Sequence, residues 1–308
     1  MLGMIEGNGH PYSWSAIING YDSGEMQRCP YPAIPAYLDL QPEGSVGIAG
    51  VKVTHIWTDD PSAAEQVARA SRIEAVVSAP EEVIGKVDAV ILATDDGNDH
   101  VRRARPFVES GIPVFIDKPL AVNVGDLATF GEWHRRGAVF LSSSGMRYAA
   151  ELRAGVPPDV GNLRWVTSVT VKTWERYGIH ALEAVQPLLG PGFGAVRCVE
   201  NPWGALYHLE HHSGVPVTIA VAADALGSIG AVHFYGTLGQ RAVLCRDYYS
   251  AFRAQLVAFF DMLWTGRVPI DFYETAEMMA VLIAGVRSRA QAGIPVRPRE
   301  VLSEANIV

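Results

Sequence analysis

Lys118 ends a run of strand-forming residues within PVFIDKPLAV, residues 113–122. An amine so placed can hydrogen-bond a reacting oxygen and stabilise negative charge developing on it. Val114-Phe115-Ile116 reads as a buried strand, and Asp117-Lys118-Pro119 ends it abruptly. Ligands of a parallel sheet bind at the carboxyl ends of its strands. Lys118 therefore stands at the mouth of a crevice if its strand belongs to such a sheet. Taken alone, it reads first as a solvated lysine after a strand, and the rest of the chain turns that reading. A second candidate is Gly7-Asn8-Gly9, between the apolar run at 2–6 and the helical spacing of SWSAIIN at 13–19. In a strand–turn–helix setting the first glycine makes the tight turn, and the second lets backbone amides approach a pyrophosphate. A full fingerprint has a third glycine at position 12, where Tyr12 stands, so looser helix packing or a shifted cofactor is expected. His10 either lies by the phosphates or nicotinamide or is a polar loop residue. Pro11 suits the first helical turn.

The elements around these residues repeat one unit. Residues 51–57 read as a strand followed by Thr58, Asp59 and Asp60, and 62–70 as a helix. An acid at that strand end binds an adenosine ribose and favours NAD. With Asp59 in the position NAD is preferred, and with Thr58 NADP is open. Residues 87–94 form a continuous apolar strand ending in Thr94 and Asp95, and the helix at 99–110 carries His100. A helix at 126–136 and a strand at 138–142 follow. Strands alternating with helices at about 25-residue spacing predict a Rossmann-type doubly wound parallel sheet. The stretch 29–50 breaks the pattern with Pro30, Pro32, Pro35 and Pro42. There Tyr31, Ile34 and Tyr37 either close over a substrate or pack on a neighbouring subunit.

The second half reads differently. Residues 162–172 alternate polar and apolar, 177–189 form a helix, and ALYHLEHH, VPVTIAVAA, GAVHFYGT and QRAVLCRD form a meander of strands. This predicts an α/β plus α+β chain, the parallel sheet followed by an open, mostly antiparallel sheet with helices on one face. The boundary is set at 1–121 and 122–308, with closing helices at 249–263 and 273–292 packing back on the first domain. The uncovered face predicts a homo-oligomer, a dimer or tetramer.

Composition narrows the class. The chain has 308 residues, a net charge of −8, 49% hydrophobic residues and three widely spaced cysteines. No block of Lys and Arg marks a nucleic-acid or membrane partner. The N-terminus lacks a signal-peptide pattern, and the cysteines fit a reducing compartment, so a cytoplasmic location is expected. His208, His211 and His212 lack matching acidic or thiol partners, read as strand and turn surface, and imply no metal.

The glycine turn, the ATDD strand end with His100 downstream, and above all GIPVFIDKPLA resemble the Gfo/Idh/MocA family of nicotinamide-dependent oxidoreductases. Asp117-Lys118-Pro119 stands where that family usually has Glu-Lys-Pro. The likeness continues through Arg147 in GMRYAAEL, YGIHALEAVQPLLG and the closing helices, covering nearly the whole chain. It implies NAD or NADP held by Gly7, Asn8, Gly9, His10, Thr58, Asp59, Thr94, Asp95, His100, Asp117 and Lys118. It implies Lys118 and His180 as the catalytic pair, and Lys118, Arg147, Arg176, Tyr177 and His180 around a small-molecule substrate. Histidine suits the base, since its ordinary pKa lies near neutrality. Many members carry an aspartate four residues before the histidine; here that residue is Arg176. Either it binds an acidic substrate group, its planar fork suiting a carboxylate, or the usual sugar chemistry is lost. Glu183, one turn beyond His180, is expected to orient its ring. The implied activity is hydride transfer between nicotinamide and a sugar, cyclitol or related polyol. A non-catalytic NAD(P)-binding sensor is the alternative, and a tightly held, recycled cofactor is a third option.

Overall fold

The computed structural model describes residues 1–225 and 229–308. Its first sheet is parallel throughout, in the order Ala75–Val76, His55–Ile56, Leu2, Val90–Leu92, Val114–Ile116, Phe140–Ser142. The central position is a single residue. Leu2 bridges both Trp57 and Leu92, and the chain then leaves the sheet at Gly3, whose φ is +84°. A β-carbon at Gly3 would lie 2.7 Å from Thr94 Cγ2, so the strand expected over 2–6 is cut short. The turn carrying Gly7 to Gly9 is correspondingly longer. The parallel sheet also runs to Ser142, beyond the expected boundary at 121.

The strands are buried on both faces, as their unbroken apolar runs require. Alternate residues therefore enter different cores. Val90, Leu92, Val114 and Ile116 join the core shared with the second sheet. Ile91, Phe115 and Leu141 join the core beneath the helices His10–Asn19 and Tyr248–Thr265. Phe115 meets Trp14 edge-on at 5.4 Å and Phe259 at 5.5 Å. The helix Tyr248–Thr265 thus packs back on the first sheet.

The second sheet has six strands in the order Gln240–Leu244, Ala231–Gly236, Leu163–Thr170, Val217–Ala222, Gly204–His211, Phe193–Asn201. Only Leu163–Thr170 and Val217–Ala222 pair in parallel. Phe193–Asn201 has no counterpart in the sequence reading, although Val196 and Cys198 face inward at strand spacing. The helices Trp174–Leu189 and Phe272–Ala290 lie against the sheet. Trp174 anchors the first of them, stacking on Tyr207 at 3.8 Å and donating to the Leu282 carbonyl at 2.9 Å. That helix starts three residues before the expected Tyr177, because the Thr173 hydroxyl caps it by accepting the Arg176 amide. The earlier start puts Arg176 and Tyr177 one turn before His180 on the same helix, where neighbours three and four apart share a face. No helix among the described residues is long and apolar enough to cross a membrane.

Candidate active site

The strand Val114–Ile116 delivers Asp117 and Lys118 to the junction of the two sheets, both almost completely buried. Asp117 is tied to the glycine turn. Its carboxylate accepts from Asn8 Nδ2 at 3.0 Å and from the Lys118 amide at 2.7 Å, and lies 2.5 Å from His10 Nδ1. Asn8 also donates to the Ala93 carbonyl, and its own carbonyl oxygen accepts the His10 amide at 2.8 Å. His10 is further held by stacking on Trp14 at 4.2 Å. Lys118 Nζ lies 3.5 Å from Asp95 Oδ2 and 4.8 Å from the centre of the Tyr177 ring. Burial opposes the Lys118 charge, but Asp117 and Asp95 outweigh it and hold the pKa above the ordinary lysine value. Lys118 is therefore an ammonium. Burial likewise opposes the Asp95 charge, yet Lys118 and Arg176 hold that carboxylate far below its usual range.

His180 comes from the opposite side, 6% exposed. Burial first, then the neighbouring Lys118, pushes its pKa well below 6.5, so the ring is neutral near pH 7. Its Nδ1 is 2.7 Å from Ser144 Oγ, which also accepts the Met146 amide at 3.1 Å. Glu183 does not touch the ring, contrary to expectation. Its carboxylate accepts the Ser144 backbone amide, so it acts on His180 only through Ser144. Tyr177 lies edge-on to His180 at 5.0 Å. Lys172, which the sequence reading missed, donates to the Tyr177 hydroxyl at 2.6 Å and to the Gly7 carbonyl at 3.2 Å. Nothing in its sequence setting marks it, since it merely follows an alternating strand.

Several expected ligand contacts are otherwise engaged. Arg176 meets Asp95 at 2.5 Å, so an acid of this chain takes the place expected for a substrate carboxylate. His100 is fully buried, its two ring nitrogens facing the Thr94 carbonyl at 2.7 Å and the Leu120 carbonyl at 3.2 Å. It clamps two strand ends rather than meeting a cofactor. Arg147 is buried with Gln186 at 2.8 Å, Glu274 at 3.2 Å and Glu183 at 3.5 Å, which makes it a packing residue of the helices. Thr58 donates to the Asp60 carbonyl, and Asp59 pairs with Arg103 at 2.8 Å. Thr94 is buried with its hydroxyl unpartnered among the described residues. His211, expected at the surface, is buried between Ser213 and the Gly190 carbonyl. Among the described residues no group of three His, Cys, Asp or Glu side chains is arranged to hold a metal ion.

The glycine turn carries a cover. A β-carbon at Gly9 would lie 2.6 Å from Ile34 Cδ1 and 2.8 Å from Tyr31 Cδ2. Both side chains come from the proline-rich stretch. Among the first amides of the helix His10–Asn19, that of His10 is taken by Asn8, and Pro11 has none.

Residues 30–142 match the model of the oxidoreductase family with an NAD-binding Rossmann fold, GFO_IDH_MocA. Comparison with curated proteins gives no match. Among solved structures, myo-inositol 2-dehydrogenase from Lactobacillus plantarum superposes with a TM-score of 0.71 at 12% identity, covering 96% of this chain and 98% of that one. A probable dehydrogenase from Thermotoga maritima gives 0.70 at 14% identity, covering 97% and 98%. An oxidoreductase from Agrobacterium radiobacter, in complex with NAD+, L-tartaric acid and magnesium, gives 0.68 at 16% identity, covering 83% and 93%. At these identities the likeness establishes the fold. The fold of these structures accounts for the parallel sheet followed by the antiparallel one. Asp95, Lys118 and His180 lie together at the junction of the two sheets, an acid, an ammonium and an imidazole within one another's field. Tyr31 and Ile34 cover the Gly7–Gly9 turn.

Proposed function

We propose that the protein is an NAD(P)-dependent dehydrogenase acting on a CH–OH group of a sugar, cyclitol or related polyol. The observation that carries this reading is a buried ammonium, Lys118 at a strand end of the first sheet, and a neutral histidine, His180 on the helix Trp174–Leu189, with Tyr177 beside both. When bound, the nicotinamide supplies the hydride acceptor or donor. The Gly7–Gly9 turn, the Thr58–Asp59 and Thr94–Asp95 strand ends and Lys118 would hold the cofactor. With Nδ1–H donating to Ser144 Oγ, the Nε2 lone pair of His180 is free to take the substrate hydroxyl proton. Lys118 stabilises the negative charge that grows on that oxygen, and burial strengthens the effect by excluding water. In the reverse direction the pair returns a proton. The polyol class is supported by the inositol dehydrogenases among the structures of the same fold.

Trp165, 42% exposed on the second sheet, and the open face around it support a homo-oligomer, which light scattering would test. The three cysteines are free and buried, which supports a reducing, cytoplasmic location. The covered glycine turn and the Arg176–Asp95 pair favour a second reading, a nucleotide-binding sensor without turnover. A panel of polyols and aldoses with NAD+ and NADP+, followed at 340 nm, separates the two. Turnover of any member supports the dehydrogenase. Nucleotide binding with no turnover across the panel supports the sensor.

A further inference from the structure

The cover over the glycine turn comes from a segment that is tied down by hydrogen bonds on both sides of Tyr31 and Ile34. At one end the Arg28 carbonyl accepts from Gln66 Nε2 at 2.8 Å. At the other, the Tyr37 hydroxyl donates to Ser13 Oγ at 2.5 Å, and Asp39 accepts from Tyr21 at 2.9 Å and Gln27 at 3.0 Å. The short helix Ala33–Leu38, which carries Tyr37, is led in by Pro30 and Pro32. Here Tyr31 is only partly buried, and Ile34 presses on Gly9. Pyrophosphate recognition at such a turn needs the backbone of the second glycine to be approachable. Here that approach is filled by a phenol ring and a δ-methyl of the chain itself.

We propose that Tyr31 and Ile34 form a displaceable plug: in the free protein they occupy the space over Gly9 that the cofactor pyrophosphate requires, and dinucleotide binding expels them. This rests on the nicotinamide-dinucleotide reading above. The plug lowers apparent affinity by the fraction of molecules in which it is open. The anchors at Arg28, Tyr37 and Asp39 keep the rest of the segment in place, so the motion is confined to the few residues around Tyr31 and Ile34. The proline-rich stretch thereby sets how readily the dinucleotide enters.

The test is a fluorescence titration of NADH and NADPH into the wild type, Tyr31→Ala and the Tyr31→Ala/Ile34→Ala double variant. Hydrogen exchange of residues 29–42 in the wild type, with and without saturating nucleotide, needs no variant to fold. The expected results are at least about tenfold tighter binding by the double variant, and faster exchange around Tyr31 when nucleotide is bound. Equal or weaker binding by folded variants, or unchanged or slower exchange in the nucleotide-bound wild type, overturns the plug and leaves the cofactor assignment standing. If neither the wild type nor the variants bind either nucleotide at millimolar concentration, the cofactor assignment itself falls, and the plug with it.

Discussion

Arg176 reaches from the helix Trp174–Leu189 to Asp95 at the end of a parallel strand, 2.5 Å away, and joins the two sheets across the cleft. Asp95 also faces Lys118 at 3.5 Å, so one carboxylate is shared between two cations. The pair therefore does more than close the cleft. It divides the pull of Asp95 between Arg176 and Lys118.

Replacing Arg176 with Gln should strengthen the Lys118–Asp95 pair and draw the amine from the reacting oxygen. We expect kcat to fall about tenfold, with nucleotide affinity changed less than about threefold. Thermal unfolding should show a loss of about 1–2 kcal/mol, because Arg176 is partly exposed while Asp95 is buried. An unchanged kcat would show that Arg176 has no influence on Lys118.

Lys118→Ala should retain nucleotide binding and lose turnover by roughly two to four orders of magnitude, since it removes the charge that stabilises the reacting oxygen. Asp95 and Asp117 would then face no lysine, so stability should also fall in urea titration. Wild-type turnover in a folded Lys118→Ala protein removes this residue from the mechanism.

The pH profile should carry an acid limb well below the ordinary histidine value of 6.5, because burial and Lys118 depress the His180 pKa. The sign follows for stability too. The unfolded histidine binds a proton near pH 6.5 that the folded one rejects, so stability is lost as pH falls below that value. Asp95 acts in the same direction at lower pH, its contribution present above the unfolded carboxylate value and lost as pH falls through the depressed folded one. A kcat/KM limb at or above 6.5 contradicts a buried neutral His180.

Ser144 is the residue that should set the orientation of the His180 ring. Ser144→Ala is expected to lower kcat about tenfold and to shift the acid limb, with little effect on nucleotide binding. Glu183→Gln keeps an acceptor for the Ser144 amide and should cost less than Ser144→Ala. If Glu183→Gln proves the more damaging of the two, the contact running through Ser144 is not what orients the base.

The preference between the two nicotinamide cofactors should turn on Asp59 and Arg103, paired at 2.8 Å. Asp59→Ser removes the acid on one side of the guanidinium, leaving Asp99 to hold Arg103 and its Nη2 open to a ribose 2′-phosphate. The ratio of NADPH to NADH affinity should rise about tenfold, and a ratio unchanged in paired titrations places the adenosine ribose elsewhere.

Local pattern carried much of this protein. The apolar run at Val114–Ile116 with its abrupt polar end placed Lys118 at a strand terminus, because three consecutive buried residues suit only a sheet covered on both faces. Alternation of strand and helix placed Gly7–Gly9, Thr94 and Asp117 at one edge of the sheet, and the resemblance supplied His180. Contacts between residues distant in the chain left no such trace. Tyr31 over Gly9, Arg176 on Asp95, Ser144 between Glu183 and His180, and Lys172 against Tyr177 and Gly7 obey no period and carry no motif. Each was decided by packing two sheets and a proline-rich segment around one cleft. There a buried charge must find a counter-charge and a buried donor an acceptor, whichever part of the chain supplies them.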